Sequence, residues 1–289
     1  MEHRTQRPPW LNKKISLGDC TEVKSVLRDM RLNTVCEEAA CPNIGECFSR
    51  RQATVIILGS VCTRGCRFCA VKKGTPEPPD TAEASRIAEA IKKLNLLHVV
   101  VTSVTRDDLI DGGASFFAEA VHSIRKLNPS VKIETLVPDF QENKEALRTL
   151  TKSAPDIISH NVETVPRLYE DIRSGASYQR SLRVLKISKD IAPDIPTKSG
   201  LMLGLGESEN EVLSVMDDLV NAGCSFLSIG QYLAPSNTHT QVREYVPPER
   251  FEWYNKEALN RGFRSVMSGP YVRSSYYETE FYNRDNRRA

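Results

Sequence analysis

The chain has 289 residues, of which 40% are hydrophobic and 26% charged, and its formal net charge is +2. Such a chain can bury a sizeable core without disulfide bonds, and its balanced, interspersed charges exclude an electrostatic attraction to nucleic acid or to an anionic membrane surface. Uninterrupted apolar runs stay well short of the roughly 20 residues that a membrane-spanning helix needs.

The first part of the chain, residues 1–52, has little strand character and is predicted to be an N-terminal extension. Its first residues, Met1 to Pro9, are polar and lack the apolar core of a secretion signal, so we expect a cytoplasmic location. A helical pattern follows over Glu22 to Met30, and a first group of cysteines comes after it.

From Ala53 onward, short apolar runs alternate with amphipathic segments. The predicted strands are Thr54–Leu58, His98–Thr102, Lys132–Val137, Ile157–His160, Lys198–Leu203 and Phe226–Ile229. The predicted helices are Thr81–Leu94, Ala114–Leu127, Lys144–Lys152, Gln179–Ile191 and Glu209–Ala222. Strands that alternate with crossover helices are typical of a parallel sheet. We predict an α/β fold with a partial (β/α)6 TIM-type barrel over residues 53–262, although the periodicity alone also fits an open doubly wound sheet.

The tail from about Gly262 has an irregular pattern, and residues 263–289 are predicted to form a C-terminal extension. It contains a run from Arg273 to Tyr277, and its last residues, Asn283 to Ala289, are expected to be solvated.

In a barrel of the predicted (β/α)6 kind, the chemistry lies at the carboxyl ends of the strands.

Eight cysteines are many for a cytoplasmic chain of this size. Six of them fall between Cys36 and Cys69 in two tight groups, while Cys20 and Cys224 stand alone and are interpreted as buried small hydrophobic residues. Clustered thiols in a reducing compartment indicate metal binding rather than disulfide bonds.

The second group, Cys62-Thr-Arg-Gly-Cys66-Arg-Phe-Cys69, follows the first predicted strand. Three thiolates from one short loop can bind an iron–sulfur cluster, and three ligands on a four-iron cluster leave one iron open to a substrate or cofactor. The alternatives are a zinc site, which normally needs four ligands, and a chance spacing with a disulfide bond.

This spacing resembles the C-x3-C-x-aromatic-C signature of radical S-adenosylmethionine (SAM) enzymes, with Phe68 as the aromatic residue. The resemblance implies that Cys62, Cys66 and Cys69 are catalytic and bind a [4Fe-4S] cluster, whose open iron chelates the amino and carboxylate groups of SAM. An electron from the cluster then cleaves SAM to methionine and a 5′-deoxyadenosyl radical.

The first group, Cys36, Cys41 and Cys47, has the spacing C-x4-C-x5-C. The residues by themselves fit a second iron–sulfur cluster, a structural zinc site or buried free thiols. The two groups in succession resemble the lipoyl synthase family. The resemblance extends from Pro9 to Tyr276 and includes the segments Thr102–Leu109, His160–Thr164, Lys198–Gly204 and Gly269–Tyr276.

The resemblance to this family implies two [4Fe-4S] clusters. The second cluster would be bound by the three N-terminal cysteines and by the oxygen of Ser275, which is therefore also counted as catalytic. Iron in clusters normally prefers thiolate, so an oxygen ligand would leave one corner labile. We therefore expect the N-terminal cluster to be consumed as the sulfur source.

The family resemblance also implies the substrate and the partners. The substrate is an octanoyl chain in amide linkage to a lysine of a lipoyl carrier domain, such as the glycine cleavage H protein or the E2 subunit of a 2-oxoacid dehydrogenase. Two sulfur atoms replace unactivated C–H bonds at C6 and C8, which requires radical chemistry. An electron donor such as ferredoxin or flavodoxin and a carrier that rebuilds the cluster are the other expected partners.

Six further residues are candidate SAM contacts, or else solvated or salt-bridged loop residues. Of these, Thr102 and Ser103 end the second predicted strand, and Asn161 and Glu163 follow the fourth. Glu163 suits the ribose hydroxyls, and Arg173 suits the methionine carboxylate. The six candidates are Thr102, Ser103, Asn161, Glu163, Arg173 and Lys198.

Two other classes of function fit the cysteines. One is a different sulfur-inserting radical SAM enzyme, of the biotin synthase type or of the tRNA methylthiotransferase type, although the balanced charge disfavours tRNA. The other is a non-catalytic iron–sulfur or zinc protein.

Overall fold

The computed structural model describes residues 7–12, 20–38, 41 and 43–275 of the chain, and the features given below belong to these residues. Pro42, the pair Tyr276-Tyr277 and the expected solvated end, Asn283 to Ala289, lie outside the described residues. In these described ranges no helix combines the length and the apolar character that crossing a membrane requires.

The strands that position the site form one large sheet and one short ribbon. In chain order they are β1 (Asn33–Thr34), β2 (Gln52–Ile57), β3 (Val61–Cys62), β4 (Lys72–Lys73), β5 (His98–Ser103), β6 (Lys132–Leu136), β7 (Ile157–Ser159), β8 (Thr197–Leu203), β9 (Phe226–Gln231) and β10 (Ser265–Gly269). The sheet has the order β1-β2-β5-β6-β7-β8-β9-β10, and β3 pairs with β4. The strand β1 is antiparallel to β2, and every other pairing is parallel.

From β2 onward, the order of the strands in the sheet is their order in the chain. A doubly wound sheet would show a reversal of this order at its switch point, whereas a (β/α) barrel shows none. The predicted α/β class and the barrel-type order are therefore confirmed. Among the described residues, β1 and β10 form the two edges of the sheet.

The helices lie mainly between the parallel strands and cover the sheet. In chain order they are α1 (Cys20–Asp29), α2 (Val35–Glu38), α3 (Ile44–Ser49), α4 (Glu83–Lys93), α5 (Ala114–Leu127), α6 (Lys144–Lys152), α7 (Tyr169–Ile172), α8 (Tyr178–Ile191), α9 (Glu209–Asn221) and α10 (Pro248–Arg261). Local capping sets several of their starts. Asn143 accepts hydrogen bonds from two backbone N–H groups of α6, and Ser208 forms a capping box with Glu211 in α9.

The predicted strands and helices are all present, with ends that agree to within about two residues, as is usual for element boundaries. The prediction of an irregular chain from about Gly262 is wrong over Ser265–Gly269, which forms β10 and pairs in parallel with β9. This strand has only two apolar residues, Val266 and Met267, and its formation depends on pairing with a distant strand. The helix α10 is a further element that the predicted pattern does not include.

A buried ion pair joins two strands of the barrel. Lys198 in β8 and Glu134 in β6 have no exposed side-chain surface, and Lys198 Nζ lies 2.9 Å from Glu134 Oε2. The hydroxyl of Ser159 also donates to Glu134, over 2.6 Å. A buried pair of this kind is costly to break, because the remaining charge loses its partner in a medium of low dielectric constant.

Replacing Lys198 is therefore expected to destabilise the protein strongly. Lys198→Met should lower the free energy of unfolding by about 3–5 kcal/mol, measured by urea denaturation. The double variant Lys198→Met/Glu134→Leu removes both charges and should lie much closer to the wild type. Equal losses in the single and double variants would contradict this account of the pair.

Candidate active site

The cysteine-rich loop of residues 62–69 leaves the sheet after β2 and is held at its start by the β3–β4 ribbon. Cys62 pairs with Lys73 in this ribbon, and the Gly74 N–H donates to the Cys62 carbonyl over 3.0 Å. The sulfur of Cys62 accepts two backbone N–H groups, from Arg64 at 3.4 Å and from Thr105 at 3.3 Å. Hydrogen bonds to sulfur stabilise thiolate ligands and tune cluster potentials.

Arg64 lies in the cysteine loop and binds residues that follow two neighbouring strands, β5 and β6. Its guanidinium binds Asp107, after β5, through two bonds of 2.7 Å, and Asp139, after β6, through bonds of 2.8 and 2.7 Å. Burial of Asp139 opposes its ionisation, but the hydrogen bonds and the positive charge of Arg64, together with the backbone N–H of Gln141, outweigh burial and lower the pKa of this carboxyl. Two bidentate contacts fix the loop rigidly over the carboxyl end of the sheet.

The three thiols of the loop are close enough to influence one another. Burial, together with the neighbouring thiols of Cys69 and Cys62, raises the pKa of the Cys66 thiol to about 11, against the positive charge of Arg173. Burial also raises the pKa of Cys69. The protein alone thus disfavours the thiolates of Cys66 and Cys69, and a bound metal cluster would supply the positive charge that stabilises them.

No three cysteine, histidine or carboxylate side chains converge closely enough for a single metal ion within the described ranges. A four-iron cluster is larger than one ion and takes its ligands at separate corners. The loop and its three thiols fit a cluster of that kind.

One cavity of about 600 Å³ connects the two cysteine groups. The N-terminal group, the cysteine loop and the C-terminal segment all contribute to its wall. The sheet adds residues 52–54 at the start of β2 and residues from the later parts of β6, β8 and β9, together with residues that follow β7 and β9. The cysteines and serines in the lining are Cys36, Cys41, Cys47, Cys69, Ser228, Ser274 and Ser275. Residues more than two hundred positions apart in the chain therefore face one space.

The segment 271–275 is tied into this cavity at three points. The Asn43 amide donates to the carbonyl of Tyr271 over 2.7 Å. The strand β9 approaches so closely that a Cβ at Gly230 would lie 2.0 Å from the carbonyl oxygen of Val272, and only glycine fits there. The Ser274 hydroxyl donates to Asn161 over 2.9 Å. These contacts place the next residue, the predicted cluster ligand, at the cavity wall.

Asn161, Glu163 and Arg173 lie together beside the cysteine loop. The Asn161 amide donates to Glu163 over 3.0 Å, and burial raises the pKa of Glu163, against the charge of Arg173. Glu163 has a φ of 66°, a left-handed conformation that is rare for a non-glycine residue and is typical of functional sites. These three predicted SAM contacts are thus brought together.

The remaining predicted contacts have different surroundings. The Thr102 hydroxyl donates to the carbonyl of Leu136 over 2.7 Å, so it is engaged within the sheet. The buried Ser103 hydroxyl has no hydrogen-bond partner among the residues that the structure describes. Lys198 is bound by Glu134 and does not line the cavity, so we withdraw it as a SAM contact.

Asp107, Asp139 and Asn43 are site residues that the sequence patterns do not single out. The two aspartates follow strands, and the rule that barrel chemistry lies at the carboxyl ends of strands could have indicated them. Nothing local marks their common partner, Arg64. Asn43 lies between two predicted ligands, but its bond to Tyr271 spans 228 positions in the chain.

Removal of the Ser274 hydroxyl tests whether this hydrogen bond positions the tail. Ser274→Ala is expected to reduce sulfur insertion several-fold with unchanged iron content, because one hydrogen bond contributes about 1 kcal/mol. Ser274→Thr keeps a hydroxyl and should restore activity. The measurement is product formation in a single turnover beside iron analysis. Equal activity of the two variants would contradict a positioning role.

Comparisons with known proteins agree with this geometry. The profile of the radical SAM superfamily matches residues 56–219, and that of the N-terminal domain of lipoyl synthase of the radical SAM family matches residues 1–41. Among solved structures, Streptococcus suis SuiB bound to precursor peptide SuiA has a TM-score of 0.60 at 12% identity, over 91% of this chain and 57% of that one. Coproporphyrinogen III oxidase (HemN) from Escherichia coli, a radical SAM enzyme, has a TM-score of 0.50 at 12% identity, over 74% and 53%. At such identity these likenesses establish the fold alone.

Curated relatives are much more similar to this chain in sequence. The lipoyl synthase of Geobacter sp. (strain M21) is 56% identical over 276 residues, which cover 96% of this chain and 94% of that protein. The lipoyl synthase of Caldanaerobacter subterraneus subsp. tengcongensis is 55% identical over 272 residues, which cover 94% and 95%. The chain therefore belongs to the lipoyl synthase family of radical SAM enzymes.

Proposed function

We propose that this enzyme inserts two sulfur atoms, at C6 and C8, into an octanoyl group attached to a lysine of a lipoyl carrier domain. One observation carries the proposal: a single cavity is lined by the three N-terminal cysteines, by Cys69 of the cysteine loop and by the C-terminal serines. A substrate carbon in that cavity would lie between a radical source and a sulfur source. Proximity of this kind is what a two-centre reaction requires.

Two groups of residues would hold the cofactors. Cys62, Cys66 and Cys69 would bind the [4Fe-4S] cluster that activates SAM, and a second cluster would be held by Cys36, Cys41, Cys47 and Ser275. When bound, these cofactors supply the hydrogen abstraction and the sulfur that an unactivated C–H bond needs. The family implies SAM and the first cluster, whereas the second cluster and its ligands are our proposal.

The other residues of the cavity would bind and orient the substrates. Apolar side chains such as Val35, Leu136 and Met202 line the wall and suit an aliphatic chain. The polar group of Asn161 and Glu163 would bind the amino acid or ribose part of SAM. Arg173 lies outside the cavity lining but beside Cys66. It is half-buried and bonded to Tyr169 over 2.8 Å, and it would bind the carboxylate of SAM.

Ser103 and Thr102 complete the proposed SAM site. The buried Ser103 hydroxyl lacks a hydrogen-bond partner in the described ranges, so a ligand group could satisfy it. Thr102 would act indirectly, because its hydroxyl is already bound to the sheet. We further propose three functional regions. They are an N-terminal cluster-binding extension (residues 1–52), the barrel (53–262) and a C-terminal extension (263–289), which adds the strand β10 to the barrel sheet and then carries the serine ligand.

The reaction implies several partners in the cytoplasm, where we propose that the enzyme acts. An octanoylated carrier, such as the glycine cleavage H protein or an E2 subunit, would deliver the substrate. A ferredoxin or flavodoxin would supply electrons, and a cluster carrier would rebuild the consumed cluster.

The direct test is anaerobic incubation of the reconstituted enzyme with an octanoyl-lysine peptide, SAM and reductant. Mass spectrometry should detect peptide with one and then two added sulfur atoms, together with 5′-deoxyadenosine. A matched peptide with unmodified lysine serves as the control. SAM cleavage without any sulfur in the octanoyl peptide would overturn the proposal.

A further inference from the structure

The cysteine loop and the ribbon beside it carry a local excess of positive charge. Residues 59–76 contain four basic residues and no acidic one, in a chain that is otherwise nearly balanced. Arg64 is neutralised by two aspartates. Arg67, Lys72 and Lys73 are exposed, and in the described part of the chain none of the three has a carboxylate partner.

These three cations, which we call the ribbon face, lie next to a predicted cluster ligand. Lys73 is the direct partner of Cys62 in the β3–β4 ribbon. The stem of Lys73 also packs on the cysteine loop, since a Cβ added at Gly65 would lie 2.8 Å from Lys73 Cδ and 3.4 Å from its Nζ. Lys73 and Cys62 are therefore direct neighbours across the ribbon, with no strand between them.

The ribbon face is separate from the substrate cavity. The loop contributes Phe68, Cys69 and Ala70 to the cavity lining, whereas the ribbon contributes none of the lining residues in the described ranges. A protein bound to Lys72 and Lys73 would therefore leave the cavity wall free. The electron donor and the octanoylated carrier could bind at the same time.

We propose that the ribbon face, Arg67, Lys72 and Lys73, is the docking surface for an acidic one-electron carrier protein. The proposal rests on the proposed function, in which the cluster at Cys62, Cys66 and Cys69 must be reduced. The transfer forms and breaks no covalent bond: the carrier is oxidised by one electron and the cluster gains it. Complementary charge accelerates such encounters and sets their salt dependence.

Charge reversal of the two lysines tests the docking surface. A purified acidic flavodoxin is titrated anaerobically into the reconstituted enzyme by calorimetry. In Lys72→Glu/Lys73→Glu the Kd should rise about tenfold or more, and its dependence on salt should weaken. The control Lys92→Glu/Lys93→Glu reverses two exposed lysines at the end of α4 and should bind like the wild type.

A comparison of two reductants separates docking from catalysis. The ratio of the flavodoxin-driven to the dithionite-driven rate of SAM cleavage should fall in the ribbon variant in proportion to the weaker binding, because dithionite needs no docking. In the control variant this ratio should stay at the wild-type value. The milder pair Lys72→Gln/Lys73→Gln should show an intermediate effect. The proposal would be overturned if the ribbon variant bound flavodoxin as tightly as the wild type does, or if the control variant lost as much affinity as the ribbon variant. Tight, charge-dependent binding of RNA in place of flavodoxin would also overturn it. Failure of the proposed function would instead be seen as absent sulfur insertion with both reductants.

Discussion

Cys66→Ala is expected to abolish SAM cleavage and to leave the N-terminal cluster in place. Cys66 is half-buried and lies near Cys62, Cys69 and Arg173, so it is central to the proposed ligand set. Its loss leaves two thiols, too few to hold a cluster with one open iron. Iron should fall from about eight to about four atoms per chain, as when one of two four-iron clusters is lost. Methionine and 5′-deoxyadenosine should both fall below detection.

The matched control is Cys224→Ala, which removes a thiol outside the proposed site. Cys224 is buried, and its thiol donates to the carbonyl of Phe226 over 3.3 Å. It does not line the cavity. This variant should keep the full iron content and near-normal SAM cleavage, with only a small loss of stability. SAM cleavage by Cys66→Ala, or loss of iron in the control, would refute the ligand assignment.

The sequence predicts those parts of the fold whose signal is local. The strand β5 (His98–Ser103) is a run of β-branched residues, and α4 buries one regular face, so periodicity indicates both. The strand β10 (Ser265–Gly269) has no such pattern and forms because β9 offers it a partner. Lys198 shows the same limit: its charge suggests a site contact, but its partner, Glu134, is 64 positions away.

In the candidate site, too, the sequence predicts the features whose signal is local and misses those that depend on distant contacts. The spacing of the cysteines is local, and by itself it predicts two ligand groups. The spacing does not predict the contacts that position these ligand groups relative to each other. The bonds from Arg64 to Asp107 and Asp139 join three separate loops. The contact of Ser274 with Asn161 joins the tail to the barrel. Each depends on how the strands are arranged.

Ser275→Cys is expected to separate cluster binding from sulfur insertion. Ser275 lines the cavity together with all three N-terminal cysteines, so a cysteine there could supply a fourth thiolate. Thiolate is the ligand that iron in clusters prefers, so this corner would become harder to open. Iron content and optical absorption should stay at wild-type values, and SAM cleavage should continue.

Sulfur insertion by Ser275→Cys should nevertheless fall by about tenfold or more, because a fourth thiolate holds its iron more tightly than an oxygen ligand does. Ser275→Ala offers no fourth ligand and should instead lose iron from the N-terminal cluster while its SAM cleavage persists. The difference in iron content between the two variants shows whether residue 275 binds the cluster. The amount of sulfur inserted per SAM cleaved by Ser275→Cys shows whether a weak ligand is needed. Sulfur insertion at the wild-type rate by Ser275→Cys would contradict the labile-corner hypothesis, because a cluster with four thiolates would then release its sulfide just as readily.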